Sequence, residues 1–162
     1  MLDRAKFLGH PIHPMFVVFP LGLLATSLAF DIAYFSSNDV SFGIVSFWMI
    51  AAGVVGAIVA AIFGLVDYLG IQSGTRAKAI GTWHGIGNAV VTVLFIISWF
   101  MRLSEPANLP SAGAFTLSVI GVLLALITAW LGGELVDRLG VGVDEGANLN
   151  APSSLSGRPA RG

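Results

Sequence analysis

Four long apolar stretches, separated by short polar ones, organise the chain. The first runs from about 15 to 35 and is interrupted only by Asp31. The second, about 42–66, holds no charged residue, and the third, about 80–101, has His84 as its one titratable group. The fourth, about 112–136, meets Glu134 near its end. A membrane-crossing helix needs about 20 apolar residues, and runs this long and evenly apolar exceed any strand. The pattern predicts an all-α integral membrane four-helix bundle over 1–143. Beyond it, 144–162 is Gly, Asn, Pro, Ser and Arg with few apolar residues, a composition expected to stay disordered.

Composition agrees. Charged residues make up 10% of the chain, whereas a soluble domain carries roughly 25%. A nucleic-acid binder built on a basic surface is excluded by the same shortage. The absence of cysteine removes disulfides, thiolate catalysis, Cys-ligated zinc and iron–sulfur clusters. No phosphate loop, zinc-protease motif or Ser-His-Asp pattern is present.

The few basic residues are unevenly placed. Arg4, Lys6, Arg76, Lys78, Arg138, Arg158 and Arg161 fall on the side of the termini and the middle connection, and Arg102 alone falls on the other. Cytoplasmic ends of spans attract Lys and Arg, so both termini are expected in the cytoplasm, and the bilayer, if bacterial, is then the inner membrane. The first span contains Pro14 and Pro20 and lacks a cleavage site, so it reads as a retained helix rather than a signal peptide.

Leu65-Val66-Asp67-Tyr68-Leu69-Gly70-Ile71 closes the second span, and Leu135-Val136-Asp137-Arg138-Leu139-Gly140-Val141 closes the fourth; five of the seven positions are identical. His10-Pro11-Ile12 is echoed more weakly by His84-Gly85-Ile86. The repeating unit would be a two-helix hairpin, and two tandem hairpins would be related by pseudo-two-fold symmetry along the membrane normal.

The repeat gathers His10, His13, Asp67, His84, Glu134 and Asp137 at one end. Both His10 and His13 precede proline, which favours extended geometry and would place the two imidazoles on one edge about 9 Å apart. Pro14 suits the first turn of the first helix, with His13 near its cap. Gly81, His84, Gly85, Asn88 and Thr92 share one face of the third helix, small and polar, and should point into the bundle. Glu134 has Arg138 at i+4 and is expected to pair with it. Asp31 has no basic neighbour in sequence and reads as facing the outer aqueous layer. Ridges of small residues (Gly53, Ala57, Ala61; Gly56, Ala60, Gly64; Gly121, Ala125, Ala129) would let helices approach closely, within one bundle or in a homo-oligomer. Trp48, Trp83, Trp99 and Tyr34 lie near span ends, where interfacial anchors belong.

At Gly9-His10-Pro11-Ile12-His13-Pro14, with Phe19-Pro20-Leu21-Gly22 after them, the chain resembles the bacterial predicted-membrane-protein family called domain of unknown function 2231. Gly64-Leu65-Val66-Asp67, Trp83-His84 with Asn88, and Gly132-Gly133-Glu134-Leu135-Val136 through Gly140-Val141-Gly142-Val143 look like its other landmarks. The resemblance covers roughly 5–143 and implies four spans without an established activity. A looser similarity is to di-haem membrane cytochromes, from which the chain departs: three histidines at one end cannot supply four axial ligands at two depths.

Two classes of function remain open. In one, His10 and His84, with Asn88 beside them, hold one b-type haem, or His10, His13, Asp67, His84 and Glu134 supply ligands for a transition metal, and the protein passes electrons to a redox partner. In the other, the chain is a non-enzymatic membrane scaffold or small oligomeric transporter, and the polar cluster only packs the helices. Catalytic residues are not assigned in either.

Overall fold

The computed structural model describes residues 5–160, so Arg4 and Arg161 of the charge count lie outside the described residues. Four helices follow a two-stranded hairpin, β1 (Lys6–Phe7) and β2 (His10–Pro11): α1 Ile12–Ser37, α2 Val40–Leu69, α3 Arg76–Arg102 and α4 Ala112–Gly133, the last continuing into a π-helical turn, Glu134–Arg138. All four are long and apolar enough to cross a membrane. They contain the four predicted spans and overrun them by a few residues, except that α4 yields to the π turn before 136.

The starts of α2, α3 and α4 are written in their flanking residues. Asn38, left-handed at φ 57°, ends α1 by donating its N–H to Tyr34 O, and Asp39 caps α2 two residues after Ser37. The Ser41 hydroxyl and N–H both donate to the Asp39 carboxylate and hold it below the ordinary carboxylate range. Thr75 caps α3 through Lys78 N–H, and Ser111 caps α4 through Ala114 N–H.

The helices pack as two hairpins, α1 on α2 and α3 on α4, joined mainly through α2 and α3. At mid-height Leu24, Ile50, Val91 and Phe95 form the buried centre, edged by Val54, Trp99 and Val122. Glycines set its closeness. A Cβ on Gly53 would lie 2.6 Å from Leu24 Cδ2, and one on Gly121 would lie 2.7 Å from Phe95 Cε2. The expected ridges are thus used inside the bundle at Gly53, Gly56, Ala60, Gly64 and Gly121, whereas Ala61 and Ala129 face outward.

Much of what the bundle buries beside that centre is polar, and its outer surface is apolar. Ser27, Asp31, Ser46, Ser98, Arg102, Ser118 and Thr128 are buried, while Val55, Ile58, Ile62, Leu123, Leu126 and Ile127 are exposed. Lipid offers no hydrophobic gain to an inward-facing Leu, so close packing and hydrogen bonds hold the helices together instead. Trp48, Trp83 and Trp130 also face outward; Trp99 is half-buried and stacks on Phe47 with ring centroids 5.2 Å apart.

At the termini, the tail runs back over the N-terminal hairpin. Asp144 pairs with Lys6 at 2.6 Å, and Ser154 Oγ lies 3.2 Å from His10 Nε2.

Candidate functional site

Two polar networks lie inside the bundle, one toward each end. Toward the end that holds the chain termini, called here the histidine end, His84 projects from α3 to α4. Its Nδ1 is 2.9 Å from Thr128 O; a carbonyl only accepts, so Nδ1 carries the proton. Nε2 then accepts from Asn88 Nδ2 at 3.1 Å. Asn88 Nδ2 also donates to His84 O, and its Oδ1 accepts from Thr128 Oγ1 at 3.0 Å. Both ring nitrogens of His84 are therefore engaged by the protein.

The polar face predicted on α3 is largely present. Gly81 is buried, and His84, Asn88 and Thr92 are half-buried. Gly85 departs from it: the residue is exposed, and a Cβ there would meet nothing within 4 Å. Gly87 makes the room instead, since its Cβ would lie 2.5 Å from Thr128 Cγ2.

His13 makes a matching contact from α1 to α2, with Nδ1 donating to Ala60 O at 2.8 Å. Each imidazole also lies over a glycine four residues beyond its carbonyl partner. A Cβ on Gly64 would come within 2.9 Å of His13 Cε1, and one on Gly132 within 3.1 Å of His84 Cε1.

The structure separates His10 from His13 rather than placing both on one extended edge. Ile12 N–H donates to Ala5 O at 3.0 Å and closes the hairpin, so α1 begins at Ile12 and His13 is helical. The helical geometry disfavoured before proline is adopted at His13, where Pro14 sits in the first turn and forfeits no helical hydrogen bond. His10 remains exposed on β2, bonded to the tail.

Of the remaining expected ligands, Glu134, the first residue of the π turn, pairs at 2.7 Å with Arg76 at the start of α3 rather than with Arg138. Asp67 is half-buried in the last turn of α2, and Asp137 is exposed. Among the described residues, no three of His, Asp and Glu are gathered as a group that could hold a metal ion. The donor set also does not fit a haem held by His10 and His84, since one is bonded to the tail and the other has its Nε2 lone pair engaged by Asn88.

The second network, toward the opposite end, escaped the sequence reading. Arg102, in the last turn of α3, donates from both terminal nitrogens to Asp31 of α1, at 2.8 and 2.6 Å. Neither side chain has any exposed surface. Ser46 of α2 accepts from Arg102 Nη1 at 3.2 Å, and Ser118 of α4 accepts from Nη2 at 3.3 Å. Ser98, one turn before Arg102, bonds to Ser118 Oγ and Ala114 O. All four helices thus meet at one guanidinium. Asp31 does not face an aqueous layer, and Arg102 is not a loop charge. The signal was present as two lone opposite charges near the same end of two apolar spans, with a serine one turn from the arginine.

A family model described as a predicted membrane protein, DUF2231, matches residues 9–145. The chain belongs to that family. The match takes in His10, His13, both networks and the π turn, and ends where the tail begins. No curated protein matches the chain. No solved structure matches it.

Proposed function

We propose that the protein is a non-enzymatic membrane scaffold whose polar groups clamp four helices into one fixed bundle. The observation that carries this reading is the Asp31–Arg102 pair, bidentate, fully sealed and supplied with hydroxyls from the neighbouring helices. Ionisable groups inside a membrane usually mark a pathway or a site when they face a cavity. This pair has no exposed surface, and the buried centre beneath it is filled by Leu24, Ile50, Val91 and Phe95, which weighs against a transporter. The engaged nitrogens of His84 extend the same logic to the other end.

The two-hairpin organisation supports the reading. His13 with Ala60 and Gly64, and His84 with Thr128 and Gly132, repeat one socket in both halves. Leu65 directly follows Gly64, whereas Gly133 and Glu134 intervene between Gly132 and Leu135, where the helix widens into the π turn. Lys6, Arg76, Lys78 and Arg138 lie at the histidine end, and the connections at the other end carry Asp39 and Glu105 but no base. That asymmetry supports cytoplasmic termini in a bacterial inner membrane.

A second reading keeps one observation in its favour. His13 and His84 both present Nδ1–H to a backbone carbonyl, the arrangement that orients ligating imidazoles. A bound transition metal or haem would use this pair rather than His10 only once Asn88 released His84 Nε2.

One preparation tests both. The protein purified in detergent should show no Soret band and no stoichiometric metal, and His84→Ala should lower its thermal midpoint. A stoichiometric cofactor that is lost in His84→Ala at an unchanged midpoint would overturn the scaffold.

A further inference from the structure

The β1–β2 hairpin carries the exposed apolar feature that no helix contact explains. Phe7 and Leu8 form its tip and are 59% and 61% exposed. Leu8 is held at φ +50°, a left-handed conformation that bulky side chains rarely adopt. A turn that needs only this backbone geometry is served better by Gly or Asn, so solvent exposure gives no reason for two large apolar residues here.

The chain has its own cover for the hairpin, and that cover stops short of the tip's apolar side. Asp144 takes Lys6, and Ser154 takes His10 and sits over Gly9, where a Cβ would lie 2.8 Å from Ser154 Cβ. The tail thus takes Lys6 on one face of the hairpin and His10 on the other, and leaves Phe7 and Leu8 exposed.

The hairpin is also tethered beside the bilayer. Its base is fixed to the first residue of α1 by the Ile12 N–H to Ala5 O bond, and its tip pair is Phe7 with His10, so the tip reaches about 10 Å from the helix start. The 26 residues of α1 span about 39 Å against a hydrocarbon core of about 30 Å. That excess is enough for the first turn of α1 to stand in the headgroup layer, with exposed Met15, Val18 and Phe19 continuing an apolar surface below it.

We propose that the β1–β2 tip is an interfacial anchor, with Phe7 and Leu8 inserted among the lipid headgroups of the bilayer that the helices cross. Lys6 stands beside them at headgroup level, and the tail is bound to the hairpin through Lys6 and His10 without covering its tip. The anchor fixes the depth of α1, and with it the height of His13.

The cysteine-free chain permits a direct test. Full-length Phe7→Cys and Leu8→Cys are spin-labelled and reconstituted in phosphatidylcholine–phosphatidylglycerol vesicles, with Ser73→Cys in the α2–α3 connection as the aqueous reference and Val55→Cys as the lipid reference. The anchor predicts that the tip labels relax more with oxygen and less with a water-soluble nickel chelate than the label at 73, approaching the label at 55. Using both tip positions guards against a turn distorted by one substitution: an oxygen-rich signal at either position supports the anchor. Nickel accessibility at both positions equal to that at 73 overturns it.

Discussion

The Arg102 network and the histidine network hold the same bundle by different physics. At Arg102 two full charges have left water and are repaid only by each other and by three serine hydroxyls. In the histidine network every partner is neutral: an imidazole, an amide, a hydroxyl and two backbone carbonyls. A buried charge left alone is far costlier than a buried amide left alone, so the ends should differ sharply in their tolerance of change.

Removing one charge is the strongest way to break the comparison. Arg102→Ala strands the Asp31 carboxylate and should cost about 3–5 kcal/mol of unfolding free energy in detergent. The double variant Asp31→Leu with Arg102→Met should recover most of that loss, because the stranded charge is the penalty. If each single change costs no more than the double, the pair is not the clamp.

The centre between the networks comes next. Gly121→Val drives a side chain into Phe95 and should cost about 1–3 kcal/mol, with little recovery from changes at either end. His84→Ala should then cost about 1–2 kcal/mol, since it removes neutral bonds and leaves Asn88 with His84 O and Thr128 as remaining partners. A loss as large as that of Arg102→Ala would erase the contrast between the ends. At the surface, Arg76→Ala breaks an exposed pair with Glu134 and should change the same measurement by less than about 1 kcal/mol.

The smallest effect lies outside both networks and appears in pH. Asp39 is held below the ordinary value of 3.8 by the Ser41 hydroxyl and N–H. Its folded-state value is the lower one, so its contribution is present above the ordinary value and fades as pH falls through the lowered one. Asp39→Asn keeps the cap and should remove this part of the acid-side loss, which parallel pH titrations of unfolding would reveal.

Much of the fold was legible because lipid imposes so few solutions. Uninterrupted apolar runs set the number of helices and nearly their ends. The polar face of α3 was legible from the spacing of Gly81, His84, Asn88 and Thr92. Gly85 was misplaced beside them because one residue of helical phase separates a packed position from an exposed one, and Gly87 took the contact.

What remained hidden were the pairings between helices. Local spacing suggested Arg138 for Glu134 and left Asp31 without a partner; Arg76 and Arg102 lie 58 and 71 positions away from them, respectively. His10 outranked His13 in the repeat because sequence alignment sees neighbours, whereas the shared socket is a carbonyl and a glycine on another helix. The sequence alone determined that this chain crosses a membrane four times and where its few charges stand along each span. Tertiary structure alone decided which of those charges meet, because an intramembrane polar group takes its partner from the facing helix and helical rotation sets which helix it faces.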